Sequence, residues 1–209
     1  MIDDGYTLYL QLQKLNLLEN KPPLWWPNPY TIEMLVGAIL TQNTKWTRVV
    51  TSLENLKNNN ILSLNALAKA DNTLVVECIR TSGFFNAKSQ NIQRLSQAIL
   101  DDFGDFEIFQ ESVSREWLLS QKGIGQESAD AILCYGCGSE VMVVDKYTQQ
   151  LVLALGLEFD DYEDLQAWCM QGFLSDQAHQ DFALFHGMIV EYMKKYKKGK
   201  VINTDPILR

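Results

Sequence analysis

The apolar residues of TIEMLVGAILTQ (31–42) recur with the period of an α-helix, and segments of this kind dominate the chain. Ile32, Leu35, Val36, Ile39 and Leu40 fall at the i, i+3, i+4, i+7 and i+8 positions of one helix face. Thr31 is the predicted N-cap, since it follows the helix-averse Asn28-Pro29. Further helices are predicted at about residues 4–19, 45–59, 73–80, 86–102, 112–120, 126–137, 146–155, 162–174 and 177–197.

Short connections separate these segments, and the one strand-like run, EVMVVD (140–145), has no partner run. We therefore expect it to be an extended connector rather than part of a sheet. The pattern predicts an all-α chain of about ten helices. The 209 residues, 46% of them hydrophobic, suffice for one compact domain or two packed lobes.

The N-terminus and the cysteines bear on where such a chain acts. MIDDGYTLYLQ lacks the basic and leucine-rich regions of a secretory signal, and no apolar run reaches the length of a membrane span. Four cysteines in a chain of this size are typical of free thiols rather than a disulfide framework. We expect a cytosolic protein.

The net charge of −8 argues against a nucleic-acid partner, because phosphates attract basic surfaces. The distribution of charge weakens that argument, since a polyanion binder needs one positive face rather than a positive total. Acidic residues cluster at EFDDYED (158–164), whereas KKYKKGK (194–200) is basic. Further basic residues are expected in polar connections: Lys45, Arg48, Arg80, Lys88 and Lys122.

QKGIGQESADAI (121–132) places two glycines between predicted helices. Gly123 and Gly125 permit backbone angles that other residues avoid, and they leave the first amides of the following helix accessible. Those N–H groups and the helix dipole favour an anion such as a phosphodiester. The alternative is a tight helix–helix turn in which the glycines serve geometry only.

Residues 117–156 resemble the helix-hairpin-helix signature of the endonuclease III superfamily of DNA glycosylases. The shared pattern is Gly-apolar-Gly, a helix of small residues and, about twenty residues later, two apolar residues followed by an aspartate, here Asp145. ILTQNTKW (39–46) and SGFFNAKSQNI (82–92) resemble two further segments of the family. WWP (25–27), TQNTK and QKGIG are most similar to bacterial 3-methyladenine DNA glycosylases of the endonuclease III type.

The resemblance implies a two-lobed all-α fold with the active-site cleft between the lobes. One lobe is expected to be a helical barrel of residues 28–138 that ends in the hairpin. The other combines residues 1–27 with 139–209 and carries the aspartate. The implied activity is monofunctional excision of alkylated purines, 3-methyladenine in particular, from damaged double-stranded DNA by a monomer in the bacterial cytosol.

Asp145 is the catalytic candidate that the resemblance implies. A fixed carboxylate stabilises the oxocarbenium character that develops on the sugar, and it can orient or deprotonate the attacking water. The residue also precedes a predicted helix and could simply be an N-cap, a role compatible with catalysis. Family members that also cleave the strand carry a lysine two residues after the second glycine, where this chain has Glu127. A carboxylate cannot form an imine, so no lyase activity is expected.

The resemblance and the aromatic residues together suggest how DNA is contacted. Trp25, Trp26, Pro27 and Trp46 are candidates for a base pocket, because tryptophan stacks on flat bases and attracts cations. Alternatively, these side chains attach the N-terminal helix to the core. Gln42 is the implied plug for the vacated space, and Phe84 or its neighbour Phe85 is the implied wedge. Lys122, Gly123 and Gly125 are expected to bind phosphate, although Gln121-Lys122 replaces the usual Leu-Pro of the family.

No metal or other cofactor is expected. Many relatives hold an iron–sulfur cluster with four closely spaced cysteines near the C-terminus, but residues 170–209 contain none. Cys134 and Cys137 form a CxxC that is more typical of core packing. FHG (185–187) could line the pocket, but His186 is interpreted as a core histidine. Lys194 could also reach the pocket, but it is interpreted as a surface lysine. Two other functions remain open: a glycosylase for mismatched thymine or uracil or for oxidised purines, and a non-catalytic DNA-binding protein.

Overall fold

A computed structural model describes residues 2–174 and 176–208. The chain divides into two compact units. The first, here called the split unit, consists of Met1–Pro27 and Gly138–Arg209; the second, the continuous unit, is Asn28–Cys137. Within the described residues, no helix is both long and apolar enough to cross a membrane.

The described chain is helical apart from one two-stranded hairpin, β1 (Lys197–Lys198) paired antiparallel with β2 (Val201–Ile202). Its α-helices are α1 (Gly5–Gln13), α2 (Ile32–Thr41), α3 (Trp46–Asn58), α4 (Leu64–Lys69), α5 (Asn72–Ile79), α6 (Phe85–Phe103), α7 (Phe106–Ser112), α8 (Arg115–Ser120), α9 (Gln126–Ala131), α10 (Lys146–Ala154), α11 (Tyr162–Met170), α12 (Ala178–Tyr196) and α13 (Asp205–Leu208). The all-α prediction is confirmed.

The continuous unit is built around α2. This helix is buried from Met34 to Leu40, and it packs against α3, α6 and α9. Thr31 caps it as the sequence predicts, with its hydroxyl accepting a bond from the Met34 amide. After α9 the chain continues as a π-helical segment, Ile132–Cys137, rather than as the α-helix predicted to residue 137. The Tyr135 and Gly136 carbonyls there accept bonds from Tyr30 and Gln110, outside the helix.

The core of the split unit surrounds α12, which packs against α1 and α10. Residues 141–145 form the extended connector that the sequence predicts, and Met142, Val143 and Val144 are buried. The Gln166 amide donates to the Met142 carbonyl at 2.6 Å, and the Val144 amide donates to the Tyr162 hydroxyl at 3.3 Å. These bonds replace the sheet partners that the connector lacks, so its end, Asp145, is held in place.

Several predicted boundaries are wrong. α1 ends at Gln13 rather than at about residue 19, because Asn16 adopts a left-handed backbone angle, φ +48°, that an α-helix cannot contain. Three helices were not predicted: α4, α7 and α13. Each spans two turns or fewer, which is too short for apolar residues to show the repeat of an α-helix. The two-residue strands of the β1–β2 hairpin are likewise too short to show an alternating pattern.

Candidate active site

Asp145 is both the last residue of the buried connector and the N-cap of α10. Its Oδ1 atom accepts hydrogen bonds from the Thr148 amide at 2.7 Å and from the Thr148 hydroxyl at 3.0 Å. Its Oδ2 atom lies 3.7 Å from Nε2 of His186, and the side chain is 17% exposed. One carboxylate oxygen therefore serves the helix, while the other faces the histidine.

The surroundings keep this carboxyl group ionised. Burial acts to raise the pKa of Asp145, but His186 and the two Thr148 donors outweigh it and leave the pKa below the ordinary value of 3.8. The group is therefore an anion at neutral pH. An anion in a mostly buried position interacts strongly with any cation that forms beside it, since little water is present to screen the charge.

His186 and Trp25 are packed together in the same unit. Their rings meet edge to face with centroids 5.2 Å apart. A Cβ atom added to Gly187, the next residue of α12, would lie 2.5 Å from Cγ of Trp25. The indole of Trp25 therefore packs against α12 where Gly187 has no side chain. The neighbouring His186 contacts both Trp25 and Asp145. The histidine is buried, as predicted, but it also forms part of this site.

Glu191 holds Trp25 through the indole nitrogen. Its Oε1 atom accepts from Nε1 of Trp25 at 3.1 Å and from Lys194 at 2.8 Å, and its Oε2 atom lies 3.0 Å from Lys21. Burial raises the pKa of Glu191, but these three donors lower it further than burial raises it. Lys194, predicted to be a surface lysine, is half exposed, yet its Nζ also lies 5.7 Å from the Trp25 ring centroid.

The remaining pocket candidates are placed differently. Trp26 is 6% exposed and meets Trp25 edge to face with centroids 6.1 Å apart, so in the free protein its ring is largely covered. Pro27 is half-buried. Trp46 is the half-buried first residue of α3, in the continuous unit. Its place in a base pocket therefore stays a prediction.

In the continuous unit, the Gly123–Gly125 hairpin and Gln42 are brought together. Gly123 has a φ of +87°, and a Cβ atom there would lie 1.9 Å from the Asn91 side-chain amide, so only glycine fits. Gly125 caps α9 and has open space where a Cβ would be. The Gln42 side chain donates to the Gly123 carbonyl at 3.0 Å and to the Ser128 hydroxyl at 2.9 Å.

The two candidate wedge residues differ in exposure. Phe84 is 73% exposed and adopts a left-handed backbone angle, φ +47°, immediately before α6. Phe85 is half-buried, and the Arg80 guanidinium lies 5.2 Å from its ring centroid. The geometry favours Phe84 as the residue presented to a partner.

The charged residues of the hairpin lie on the surface. Lys122, before the glycines, and Glu127, in the first turn of α9, are both exposed. Arg115 and the fully buried Asp130 form an ion pair at 2.7 Å that joins α8 to α9. This pair fixes the two helices on either side of the hairpin.

The cysteines do not fit an iron–sulfur cluster. Cys134 is buried and Cys137 is half-buried in the π-helical segment, and burial raises the pKa of the Cys137 thiol to about 12. Within residues 2–174 and 176–208, no three His, Cys, Asp or Glu side chains are grouped as metal ligands.

Sequence reasoning missed Glu191 and the environment of Lys88. Helical spacing carried a signal for Glu191, since it lies four residues after Gly187 on α12 and therefore shares a face with it. Lys88 is counted among the basic residues of polar connections although it falls within the helix predicted at 86–102. The structure buries it in α6 at 2% exposure, because its ammonium group finds acceptors at Leu40, Thr44 and Ser82.

Comparison with known proteins gives a consistent picture. The family model described as "HhH-GPD superfamily base excision DNA repair protein" matches residues 36–172. An inferred DNA repair glycosylase of Methanocaldococcus jannaschii is 32% identical over 209 residues, covering 97% of this chain and 94% of the relative.

Among solved structures, the H. pylori 3-methyladenine DNA glycosylase MagIII bound to 1,N6-ethenoadenine superimposes with a TM-score of 0.88. It is 44% identical, and the match covers 93% of this chain and 99% of that one. A non-covalent endonuclease III–DNA complex matches with a TM-score of 0.75 at 17% identity, over 97% of this chain and 91% of that one. The second likeness concerns the fold alone.

Proposed function

Because the chain belongs to the HhH-GPD superfamily of base excision DNA repair proteins and is a DNA glycosylase, we propose that it excises alkylated purines from double-stranded DNA by hydrolysis alone. The preferred substrate in this proposal is 3-methyladenine. The enzyme acts as a monomer and extrudes the damaged nucleotide before the bond between base and sugar is broken.

The observation that carries the proposal is the placement of Asp145. Its carboxylate is ionised, partly exposed and fixed by Thr148, and it shares His186 as a neighbour with Trp25. A fixed anion stabilises the positive charge that develops on the sugar as the base departs, and it needs no reorganisation at that moment. The Oδ2 atom, which does not cap α10, is the oxygen assigned to this role and to orienting the attacking water.

The choice of lesion rests on the chemistry of the leaving group. Purines methylated at N3 carry positive charge, which weakens the bond to the sugar and removes the need for a general acid. An electron-rich indole such as Trp25 attracts a cationic base to its face. The similarity at 44% identity to a 3-methyladenine DNA glycosylase supports the same choice.

The absence of strand cleavage in this proposal rests on Glu127. It stands two residues after Gly125, where strand-cleaving relatives carry the lysine that attacks the sugar. In this proposal water captures the cation, and the product is an intact strand with an abasic site.

The DNA contacts are proposed in the continuous unit. Gln42 fills the space left by the extruded nucleotide, and the exposed Phe84 enters the base stack. Gly123, Gly125 and Lys122 bind backbone phosphate, and such contacts position the enzyme without reading sequence. The Gly123–Gly125 hairpin lies beside Gln42, which supports placing the phosphate contacts and the plug together. Trp46 is proposed as a further base contact.

The test is single-turnover base release from matched duplexes that contain 3-methyladenine, 8-oxoguanine, uracil opposite guanine or thymine opposite guanine. We expect 3-methyladenine to be released fastest by a wide margin. Preferred release of a neutral base would replace the lesion assignment with one of the alternatives, and binding without any release would indicate a non-catalytic DNA-binding protein. Sedimentation velocity tests the monomer.

A further inference from the structure

Lys88 occupies an unusual position for a lysine. It lies in the first turns of α6, and only 2% of the residue is exposed. Its Nζ atom donates to the Leu40 carbonyl at 2.8 Å, to the Thr44 hydroxyl at 2.8 Å and to the Ser82 carbonyl at 2.9 Å. Three donors thus meet three acceptors, which uses all the hydrogen atoms of the ammonium group.

Burial of an ammonium group is costly unless every hydrogen finds a partner. None of these three acceptors is a carboxylate, so the charge is stabilised by dipoles alone. Burial lowers the pKa of Lys88 to about 8, which still leaves the group mostly protonated at neutral pH. The buried cation is therefore a feature that needs a structural reason.

The reason is visible in where the acceptors lie. Leu40 lies in the last turn of α2, and Thr44 lies within the plug loop that follows, residues 42–45, which also contains Gln42. Ser82 opens the wedge loop, residues 82–84, which ends in Phe84. The Thr44 hydroxyl also lies within hydrogen-bond distance of the Ser82 carbonyl, so the two loops touch at the point where Lys88 binds both.

Both loops contain backbone angles that require support. In the plug loop, Asn43 has a φ of +53°, and in the wedge loop Phe84 has a φ of +47°. A left-handed angle is costly for a phenylalanine and milder for an asparagine, and at Phe84 it persists only where the surroundings determine the backbone. The ammonium group of Lys88 supplies such a restraint to both loops at once.

We propose that Lys88 is a positioning residue that holds the plug loop and the wedge loop at a fixed spacing, so that Gln42 and Phe84 enter the duplex together. This inference rests on the proposed function, because it assumes that both side chains enter DNA. Lys88 itself touches neither DNA nor the reacting atoms, since its ammonium group is buried and fully bonded.

The first test replaces Lys88 by methionine, which keeps the length of the side chain and removes the charge and the three donors. The control is Lys69→Met on α4, which removes an exposed lysine from the same unit. Single-turnover base release is measured with an alkylpurine oligonucleotide as a duplex and as a single strand. A single strand has no opposite strand to open, so its processing does not depend on the spacing of the two loops.

We expect Lys88→Met to lose at least tenfold in base release from the duplex and less than twofold from the single strand. Lys69→Met is expected to match the wild type on both. Equal losses on the two substrates would show a merely structural role and would overturn the proposal. An unchanged rate of Lys88→Met on the duplex would also overturn it.

A second variant, Thr44→Val, guards against misfolding of Lys88→Met. It removes one acceptor and the contact with Ser82 while Lys88 remains, so a smaller loss confined to the duplex is expected. If Lys88→Met does not fold by circular dichroism, this variant decides the question by the same criterion. Equal losses of Thr44→Val on duplex and single strand would reject the proposal.

A third measurement separates this inference from the choice of lesion. A duplex with a stable abasic-site analogue opposite 2-aminopurine reports insertion into the stack by fluorescence, with no base to release. We expect a fluorescence change with the wild type and with Lys69→Met, and its loss with Lys88→Met. If no alkylpurine is released by the wild type, the proposed function fails, while this fluorescence result still decides the role of Lys88; an unchanged signal in Lys88→Met overturns it.

Discussion

The Oδ2 atom of Asp145 lies 3.7 Å from Nε2 of His186, while the other oxygen of the same carboxylate caps α10. The aspartate is thus held in the free protein by Thr148 of α10, while its second oxygen faces the histidine. A charge that is already oriented stabilises a forming cation more effectively than one that must be reoriented.

Two substitutions distinguish the helix-capping role of Asp145 from its catalytic role. Asparagine caps helices about as well as aspartate, so Asp145→Asn should retain stability within about 0.5 kcal/mol but lose base release by about 100-fold or more. Asp145→Ala removes the cap as well and should cost an additional ~1 kcal/mol of stability. Thermal unfolding and single-turnover kinetics measure the two effects. Near wild-type excision by Asp145→Asn would reduce the residue to a cap.

The pH dependence follows from the lowered pKa of Asp145. Since the unfolded chain takes up the proton first as the pH falls, the stabilisation from ionised Asp145 is complete above about 3.8 and is lost as the pH falls through the lower folded value. Excision should therefore stay independent of this group from neutral pH down to that range. Thr148→Val and His186→Gln remove groups that lower the pKa, so both should move the acid limb of the rate profile to higher pH. An unmoved limb in both would remove Asp145 from the rate-determining step.

The fit between Gly187 and Trp25 gives a third prediction. Alanine favours helices more than glycine, so Gly187→Ala should not destabilise α12 through propensity. Its Cβ would displace the indole, and loss of base stacking should reduce excision by about 1–3 kcal/mol of transition-state stabilisation. The double variant with Trp25→Ala should be no worse than Trp25→Ala alone. Additive losses would mean that Gly187 acts on something other than Trp25.

Phe84 and Phe85 form a matched pair for the wedge. Phe84→Ala alters an exposed side chain, so stability should change by no more than about 0.5 kcal/mol, whereas excision from duplex DNA should fall clearly. Phe85→Ala removes a ring that packs under Arg80, and its effect on excision should be the smaller of the two. The reverse order of the two rates would assign the wedge to Phe85.

Borohydride reduction tests the hydrolytic mechanism. With Glu127 after the hairpin, we expect no covalent enzyme–DNA adduct, and product strands that stay intact until they are treated with alkali. An endonuclease III type enzyme that carries the lysine serves as the positive control for trapping. A trapped band would point to an amine, with Lys122 the first to be substituted, and would contradict a monofunctional enzyme.

The features that could be predicted from sequence are those encoded within short stretches. The periodicity of α2 and the backbone freedom of Gly123 and Gly125 each have a local physical reason, whereas the spacing to Asp145 belongs to the pattern by which this segment resembles the family. The extended connector before Asp145 could be predicted for the same reason, since no second strand-like run was available to pair with it.

The features that could not be predicted depend on residues far apart in the chain. Trp25 and Glu191 are separated by 166 positions, and nothing near the tryptophan indicates that its indole nitrogen will meet a carboxylate. Lys88 resembles a surface lysine of a polar segment, yet it is buried because acceptors 44 and 48 positions away close around it. Tertiary packing decides such contacts, and local composition carries no record of them.

The exposed ring of Phe84 also has a thermodynamic consequence. The free protein keeps a large apolar surface in water, and insertion into a base stack would remove it. Burial of apolar surface lowers the heat capacity, so the binding enthalpy for a damaged duplex should become more negative as the temperature rises. In Phe84→Ala, which lacks the ring, the binding enthalpy should change less steeply with temperature. Titration calorimetry at several temperatures would thus report insertion of Phe84 through the heat-capacity change of binding, even on a site from which no base is released.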